Sequence, residues 1–291
     1  MEIVIAKNSG FCYGVKRALR LAYETRKKNG SYVFTWGELI HNPGVINQLQ
    51  EKGIRVISSL SELKAGDTVI IRSHGVSPEI YRALKKKRVR LVDATCPIVK
   101  KIQQTVEKLS RKTAEMIIVG NKNHPEIQGL LGYSRGKALI IEDESQAKIL
   151  PYKKKRMVLA QSTQDGQLFS QVVARLVEKT SELTVYNTIC ESTRIRQEAT
   201  TQLAHEVEAL IIIGGRNSSN TNKLYHLSRR LLPKTYLIES PEEITTEMLQ
   251  RVKKIGLSGG ASTPPEVIKK TVTAIKNSFK QNSHQEKVTH D

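Results

Sequence analysis

Three cysteines are the residues of this sequence best suited to act together in chemistry. Cys12, Cys96 and Cys190 are separated by 84 and 94 residues. An odd number of distant cysteines does not suggest a disulfide framework, and a local zinc module would show pairs two to four residues apart. Each cysteine instead follows a β-branched segment and comes just before an expected helix. Ligands bind at the carboxyl ends of parallel strands, and a helix N-terminus favours a thiolate. The pattern predicts joint ligation of zinc, copper(I) or an iron–sulfur cluster, with one metal position left open.

Three of the seven histidines share a second setting. His41, His74 and His124 each follow an expected strand, and a proline that opens a helix comes one to four residues later. Imidazoles beside a helix N-terminus form a good anion site. Glu126 follows His124 by two residues. It is either a first-turn glutamate that complements the helix dipole or a proton donor beside a metal site. In the second interpretation the catalytic acid receives its proton through His124 or a nearby hydroxyl, and the residues alone leave both interpretations open.

Two loops rich in glycine and small hydroxyl residues add uncharged donors. GGRNSSNTNK (214–223) contains Ser218, Ser219 and Asn220, and SGGASTPPEV (258–267) contains Ser262. Neither loop matches the nucleotide phosphate loop or the dinucleotide fingerprint. Each alone is compatible with an ordinary turn and helix cap. Together with the histidines, the loops predict a pyrophosphate cradle shared among domains.

The elements that must position these residues alternate along the whole chain. Strands followed by amphipathic helices predict an α/β fold with parallel sheets covered on both faces. The expected strands are 3–6, 68–73, 90–94, 116–120, 157–161, 210–215 and 254–259, and the expected helices are 15–27, 78–87, 97–112, 168–179 and 221–232.

Composition bounds the class of protein. The chain has 291 residues, of which 38% are hydrophobic and 26% charged, and it has no apolar run long enough to cross a membrane. Its first residues lack the basic start and cleavage site of a leader, so we expect a first strand and a cytoplasmic location. The net charge of +19 invites a nucleic-acid interpretation, but only 5% of residues are aromatic and no basic run is interleaved with them. An anionic substrate or an acidic protein partner explains the charge as well.

The motifs as a set resemble those of the IspH/LytB family of 4-hydroxy-3-methylbut-2-enyl diphosphate reductases, which belong to the non-mevalonate isoprenoid pathway. The resemblance covers essentially the whole chain. In chain order the motifs are GFCYGVKRA, GELIHNPGV, RSHGV, DATCP, GNKNHPEIQG, TICESTRIRQEA, GGRNSSNT and GGASTPP.

The resemblance implies three small, pseudo-equivalent α/β domains arranged as a cloverleaf around a central [4Fe–4S] cluster, one per subunit. We expect domains at 14–96, 97–187 and 188–280, with the N-terminal strand and cysteine loop (1–13) at the centre and a flexible tail at 281–291. Cys12, Cys96 and Cys190 would each ligate one iron, and the iron without a protein ligand would bind the substrate.

The resemblance also implies the roles of the other site residues. Glu126 matches the family's catalytic acid. The positions that bind the diphosphate and shape the pocket match His41, His74, His124, Ser218, Ser219, Asn220 and Ser262. The reaction is then a two-electron reductive dehydration that gives isopentenyl or dimethylallyl diphosphate.

Two departures and two rival functions remain. The family's usual Gln-Thr-Thr reads Gln161-Ser162-Thr163 here, so a hydroxyl role in the pocket passes to Ser162 or to Thr163. Pro265 makes a Pro-Pro pair that stiffens the last cradle loop. The high charge suggests docking of an acidic donor such as ferredoxin or flavodoxin. The rivals are a zinc- or cluster-dependent hydratase, which transfers no electrons, and a nucleic-acid-binding module, which we do not expect.

Overall fold

Three four-stranded sheets organise the computed structural model, which describes residues 1–29 and 33–288, with only the backbone described for 279–288. Every described pair of neighbouring strands is parallel. The strands, in sheet order, are β3 (Ile54–Ile57), β2 (Val33–Trp36), β4 (Thr68–Ile71) and β5 (Arg90–Asp93); then β7 (Ala138–Ile141), β6 (Glu115–Val119), β8 (Lys153–Ala160) and β9 (Thr180–Tyr186); then β1 (Glu2–Ile5), β12 (Lys254–Gly259), β10 (Ala209–Ile213) and β11 (Thr235–Ile238).

α-Helices lie between successive strands, as parallel connections require, except that a short 3-10 helix (Leu60–Glu62) lies between β3 and β4. In chain order they are α1 (Tyr13–Lys28), α2 (Pro43–Glu51), α3 (Pro78–Lys86), α4 (Pro97–Leu109), α5 (Pro125–Tyr133), α6 (Glu144–Lys148), α7 (Gly166–Glu178), α8 (Glu191–Glu206), α9 (Ser219–Leu231), α10 (Thr246–Leu249) and α11 (Pro265–Val288). Prolines open α2, α3, α4, α5 and α11, because a first-turn N–H has no partner inside its own helix.

The central strands are apolar on both faces. Along β6, Met116 and Ile118 pack with α4 and α5, whereas Ile117 and Val119 pack with α6 and α7. Successive side chains of a strand point to opposite faces, so a strand buried on both faces reads as a continuous apolar run. Packing on both faces holds the sheet in place, so the loops that follow the carboxyl ends of its strands start from fixed positions.

The chain divides into two compact units. The terminal unit comprises Met1–Cys12, His41–Pro43 and Glu191–Asp291, and it contains the sheet β1-β12-β10-β11. The middle unit comprises Tyr13–Ile40 and Gly44–Cys190, and it contains the other two sheets. Within the terminal unit, β1 lies beside β12 with Ile3 opposite Ile255, so the start of the chain completes a sheet formed by its last third.

The predicted α/β class with parallel sheets is confirmed. The seven strands and five helices expected from the sequence all occur, with ends that differ by a few residues. Each of the three expected domain ranges carries strands of one sheet, but the bounds 14–96, 97–187 and 188–280 stay a prediction. The expected flexible tail, 281–291, coincides through Val288 with the end of α11, and its last three residues lie outside the described residues. No helix among the described residues is both long and apolar enough to span a membrane.

Candidate active site

Two of the cysteines lie in the middle unit, each where a helix is about to begin. Cys96 is the N-cap of α4, and its backbone N–H donates to Ser73 O at 2.9 Å. Cys190 comes one residue before α8, and its N–H donates to Ser162 O at 2.8 Å. Both are half-buried and outside any disulfide. Backbone hydrogen bonds to neighbouring loops therefore fix where each thiol is presented.

Two histidines of the middle unit meet directly. The rings of His74 and His124 lie edge to face, with centroids 5.3 Å apart and planes at 89°. His124 is the N-cap of α5, where its Nδ1 accepts the backbone N–H of Glu126 at 3.1 Å. A neutral imidazole that accepts through Nδ1 carries its proton on Nε2. His124 is thereby set to donate through Nε2.

Glu126 is the most deeply buried acid of the site, with 1% of its surface exposed. The Ser162 N–H donates to Oε1 at 2.7 Å, and the Ser162 hydroxyl donates to Oε2 at 2.6 Å. Burial raises the pKa of Glu126 above its ordinary value, although both hydrogen bonds from Ser162 act to lower it. A carboxyl of this kind holds its proton to higher pH than an exposed glutamate, which suits a proton donor.

Gln161 organises the loop that carries Ser162. Its Oε1 accepts the Asn121 N–H at 3.1 Å, and its Nε2 donates to the Thr163 hydroxyl at 3.1 Å. The two hydroxyls that the sequence left as alternatives thus have different neighbours. Ser162 contacts the buried carboxyl of Glu126, whereas Thr163 contacts Gln161.

The third cysteine belongs to the terminal unit. Cys12 ends the segment that runs beside β12, and its N–H donates to Ala261 O at 3.0 Å. Arg196 of α8, with 2% of its surface exposed, donates from Nη2 to Gly10 O at 2.8 Å. A buried guanidinium is costly unless it is hydrogen-bonded, so this contact ties the loop before Cys12 to α8.

His41 and Ser262 are held together by their backbone and hydroxyl groups. The Ser262 hydroxyl donates to His41 O at 2.8 Å. Gly215 packs against the same carbonyl, since a Cβ at that position would lie 3.0 Å from His41 O. These contacts fix the backbone of His41 against both glycine-rich loops of the terminal unit.

The loop before α9 presents one unusual side chain. Ser218 is the N-cap of α9, and its hydroxyl accepts the Thr221 N–H at 3.4 Å, which is the ordinary capping role. Asn220 is 3% exposed, and within the described residues neither its Nδ2 nor its Oδ1 has a hydrogen-bond partner. Buried polar atoms are satisfied in most native proteins, so the amide of Asn220 is a candidate for contact with a polar ligand. Ser219 is the half-buried first residue of this helix.

The expected strand-to-helix settings of the cysteines and histidines are confirmed. The middle unit brings together His74 with His124, and Glu126 with Ser162. The terminal unit brings together His41 with Ser262. Sequence reasoning missed Arg196, although its spacing from Thr193 and Thr200 puts it on the buried face of α8.

Known proteins resemble this chain along most of its length. A family model described as LytB protein matches residues 3–276. The 4-hydroxy-3-methylbut-2-enyl diphosphate reductase of Aquifex aeolicus is 45% identical over 94% of this chain and 96% of its own. The reductase of the same description from Caldanaerobacter subterraneus is 44% identical, with 95% of this chain and 97% of its own covered.

Two solved structures are similar as well. One is a (E)-4-hydroxy-3-methyl-but-2-enyl diphosphate reductase, described as the terminal enzyme of the non-mevalonate pathway. It is 43% identical, with a TM-score of 0.69 and coverage of 95% of this chain and 100% of that one. The other is the E-1-hydroxy-2-methyl-but-2-enyl-4-diphosphate reductase of Plasmodium falciparum, 28% identical, with a TM-score of 0.90 and coverage of 94% and 87%.

Proposed function

This chain belongs to the LytB family, and from that membership we propose that it reduces 4-hydroxy-3-methylbut-2-enyl diphosphate with an iron–sulfur cluster held by Cys12, Cys96 and Cys190. The reaction takes up two electrons and two protons, breaks the C–O bond of the hydroxyl group and releases water. The products are isopentenyl and dimethylallyl diphosphate. The observation that carries the proposal is the buried carboxyl of Glu126, fixed at both oxygens by Ser162.

The donor set fits an iron–sulfur cluster. All three cysteines are half-buried thiols outside any disulfide, and each directly precedes the first residue of a helix. Thiolates are the ligands that clusters prefer, and helix N-termini favour their negative charge. Cys12, Cys96 and Cys190 would hold three irons of a [4Fe–4S] cluster, and the fourth iron would have no protein ligand and would be open to the substrate. When bound, the cluster supplies the electrons and a Lewis acid at the hydroxyl group.

Glu126 serves as the proton donor. Its raised pKa keeps the proton available, and the two hydrogen bonds from Ser162 hold the carboxyl in one orientation. The Ser162 hydroxyl, 2.6 Å from Oε2, is also placed to pass a proton between the carboxyl and the substrate. We therefore assign the pocket hydroxyl role to Ser162 and leave Thr163 a supporting role through Gln161.

The histidines and the cradle loops bind the diphosphate. His124 offers its Nε2–H beside the N-terminus of α5, and His74 packs against its ring. In the terminal unit, the unsatisfied amide of Asn220 offers two N–H donors. Ser218 and Ser219 belong to the same glycine-rich loop, and Ser262 belongs to the second one. The role of His41 in binding the diphosphate rests on the family motif and on its backbone carbonyl, which accepts a hydrogen bond from the Ser262 hydroxyl.

The electron donor and the location complete the proposal. A net charge of +19 favours an acidic carrier such as ferredoxin or flavodoxin. Three thiols outside any disulfide suit a reducing compartment, which supports a cytoplasmic location.

The test is an anaerobic assay of iron-replete protein with dithionite-reduced viologen and the hydroxylated diphosphate. We expect a brown protein, consumption of the substrate and formation of both products. Turnover that needs no reductant would support a hydratase instead. A zinc-loaded, colourless protein with the same activity would exclude the cluster. No consumption by an iron-replete sample would refute the function.

A further inference from the structure

We propose that the first two turns of α1 and α4 form a docking surface for an acidic one-electron carrier protein. The surface, called here the α1–α4 surface, consists of Tyr13, Lys16, Arg20, Ile98 and Lys101. The inference rests on the proposed function, because it locates the partner that delivers the electrons. All five residues belong to the middle unit and are exposed.

The two helices of this surface begin side by side. Arg17, in the second turn of α1, donates from Nη1 to Thr95 O at 3.1 Å and from Nη2 to Asp93 O at 3.4 Å. Thr95 directly precedes Cys96, the N-cap of α4. Tyr13 lies four residues before Arg17, on the same face of α1, and so lies on the side of α1 that meets the start of α4.

The surface is positive. Lys16 and Lys101 are exposed and carry its net charge. Arg20 is paired with Glu24, the first acid of α1, whose Oε1 lies 3.9 Å from Arg20 Nε, and Lys100 Nζ is paired with Asp93 at 2.7 Å, so neither adds net charge. Surface charge of one sign steers a partner of the opposite sign and fixes its orientation.

Two apolar side chains stand among these charges. Tyr13 is 71% exposed and Ile98 is 42% exposed. A large aromatic or aliphatic anchor surrounded by charged residues is the usual composition of a protein interface. An acidic protein with an apolar contact point therefore fits the surface better than a small anion does.

The position of the surface indicates what such a partner would deliver. Ile98 is two residues after Cys96, and Tyr13 directly follows Cys12, so both anchors adjoin proposed cluster ligands along the chain. A carrier docked here would lose one electron per encounter to the site. Two reduced carriers would be oxidised for each substrate reduced, with two protons taken up and one water released.

The test compares two charge-reversal variants of the cluster-loaded protein. The first carries Lys16→Glu, Arg20→Glu and Lys101→Glu. The control carries Lys148→Glu, Lys153→Glu and Lys154→Glu, which are exposed residues of the middle unit at the end of α6 and the start of β8. Both variants change the net charge equally. Each must match the wild type in iron content and in turnover with reduced viologen.

We expect the first variant alone to lose affinity for an acidic ferredoxin. Its dissociation constant at low ionic strength should rise on the order of tenfold or more, and the difference should shrink as salt is added. Tyr13→Ser should weaken binding while leaving the salt dependence unchanged. Equal loss in both variants, or wild-type affinity in the first, would overturn the docking surface. Failure of the wild type to turn over with viologen would refute the proposed function instead, because that reductant needs no docking.

Discussion

Replacing Asn220 with leucine should change stability and substrate binding in opposite directions. In the ligand-free protein the amide is 3% exposed, and neither of its polar atoms has a partner within the described residues. A buried group left unsatisfied costs about 1–3 kcal/mol, and leucine has nearly the same shape without that cost. We therefore expect the free energy of unfolding to rise by about 1–3 kcal/mol.

Substrate binding should weaken, because the same amide is proposed to donate to the diphosphate. A hydrogen bond to a charged group contributes about 1.5–3 kcal/mol, which corresponds to roughly a 10- to 150-fold rise in KM. The assays are urea unfolding without substrate, at matched iron content, and viologen-driven turnover across substrate concentrations.

Thr221→Val is the matched control on the same helix. The hydroxyl of Thr221 is also buried and without a partner among the described residues. It packs against glycine backbone, since Cβ atoms at Gly214 and Gly260 would lie 2.7 and 2.2 Å from its oxygen. This variant should gain stability with KM unchanged. An Asn220→Leu protein that is less stable than the wild type and keeps its KM would refute the reasoning.

Three further predictions concern the middle unit. Glu126→Gln should keep its iron and lose most turnover. Burial raises the pKa of Glu126, so the contribution of this residue to stability is fully present below the ordinary glutamate pKa. The contribution is lost as pH rises through the folded-state pKa. The unfolding temperature of Glu126→Gln should therefore depend less on pH than that of the wild type. Ser162→Ala removes a hydrogen bond that lowers the pKa of Glu126, so the alkaline limb of the pH profile of kcat should move to higher pH. Ser162→Thr keeps the hydroxyl and should leave that limb in place. If Ser162→Ala has the same pH profile as the wild type, Ser162 does not set the pKa of Glu126. Gly132→Ala would place a Cβ 2.5 Å from that of Ser77 and should lower the free energy of unfolding by about 1–3 kcal/mol, while Gly166→Ala, which meets nothing within 4 Å, should not lower it.

The sequence predicted local features well. The helix starts after Cys12, Cys96 and Cys190 follow from the alternation of apolar segments and helix-opening residues, which depends on neighbours along the chain. The same holds for the prolines that follow the three histidines.

Contacts between distant residues could not be predicted from the residues alone. The role of Glu126 stayed open because its partner, Ser162, is 36 residues away. The buried amide of Asn220 depends on packing that hydrophobic periodicity does not describe. Arg196 is separated by 186 residues from Gly10, the residue whose carbonyl it binds. Each contact depends on which loops the sheets bring to one edge.

The pairing of β1 with β12 has a consequence for biosynthesis. The ribosome releases the strand Glu2–Ile5 long before Lys254–Gly259, yet the two strands share one ladder. The segment that leads to Cys12 cannot form its hydrogen bonds to Leu257 and Ala261 until translation has passed Ala261. Folding units generally form in the order in which they emerge, so the middle unit can fold before the segment that leads to Cys12 has its partners. We therefore expect any group that Cys12 helps to hold to be loaded only after Ala261 has left the ribosome.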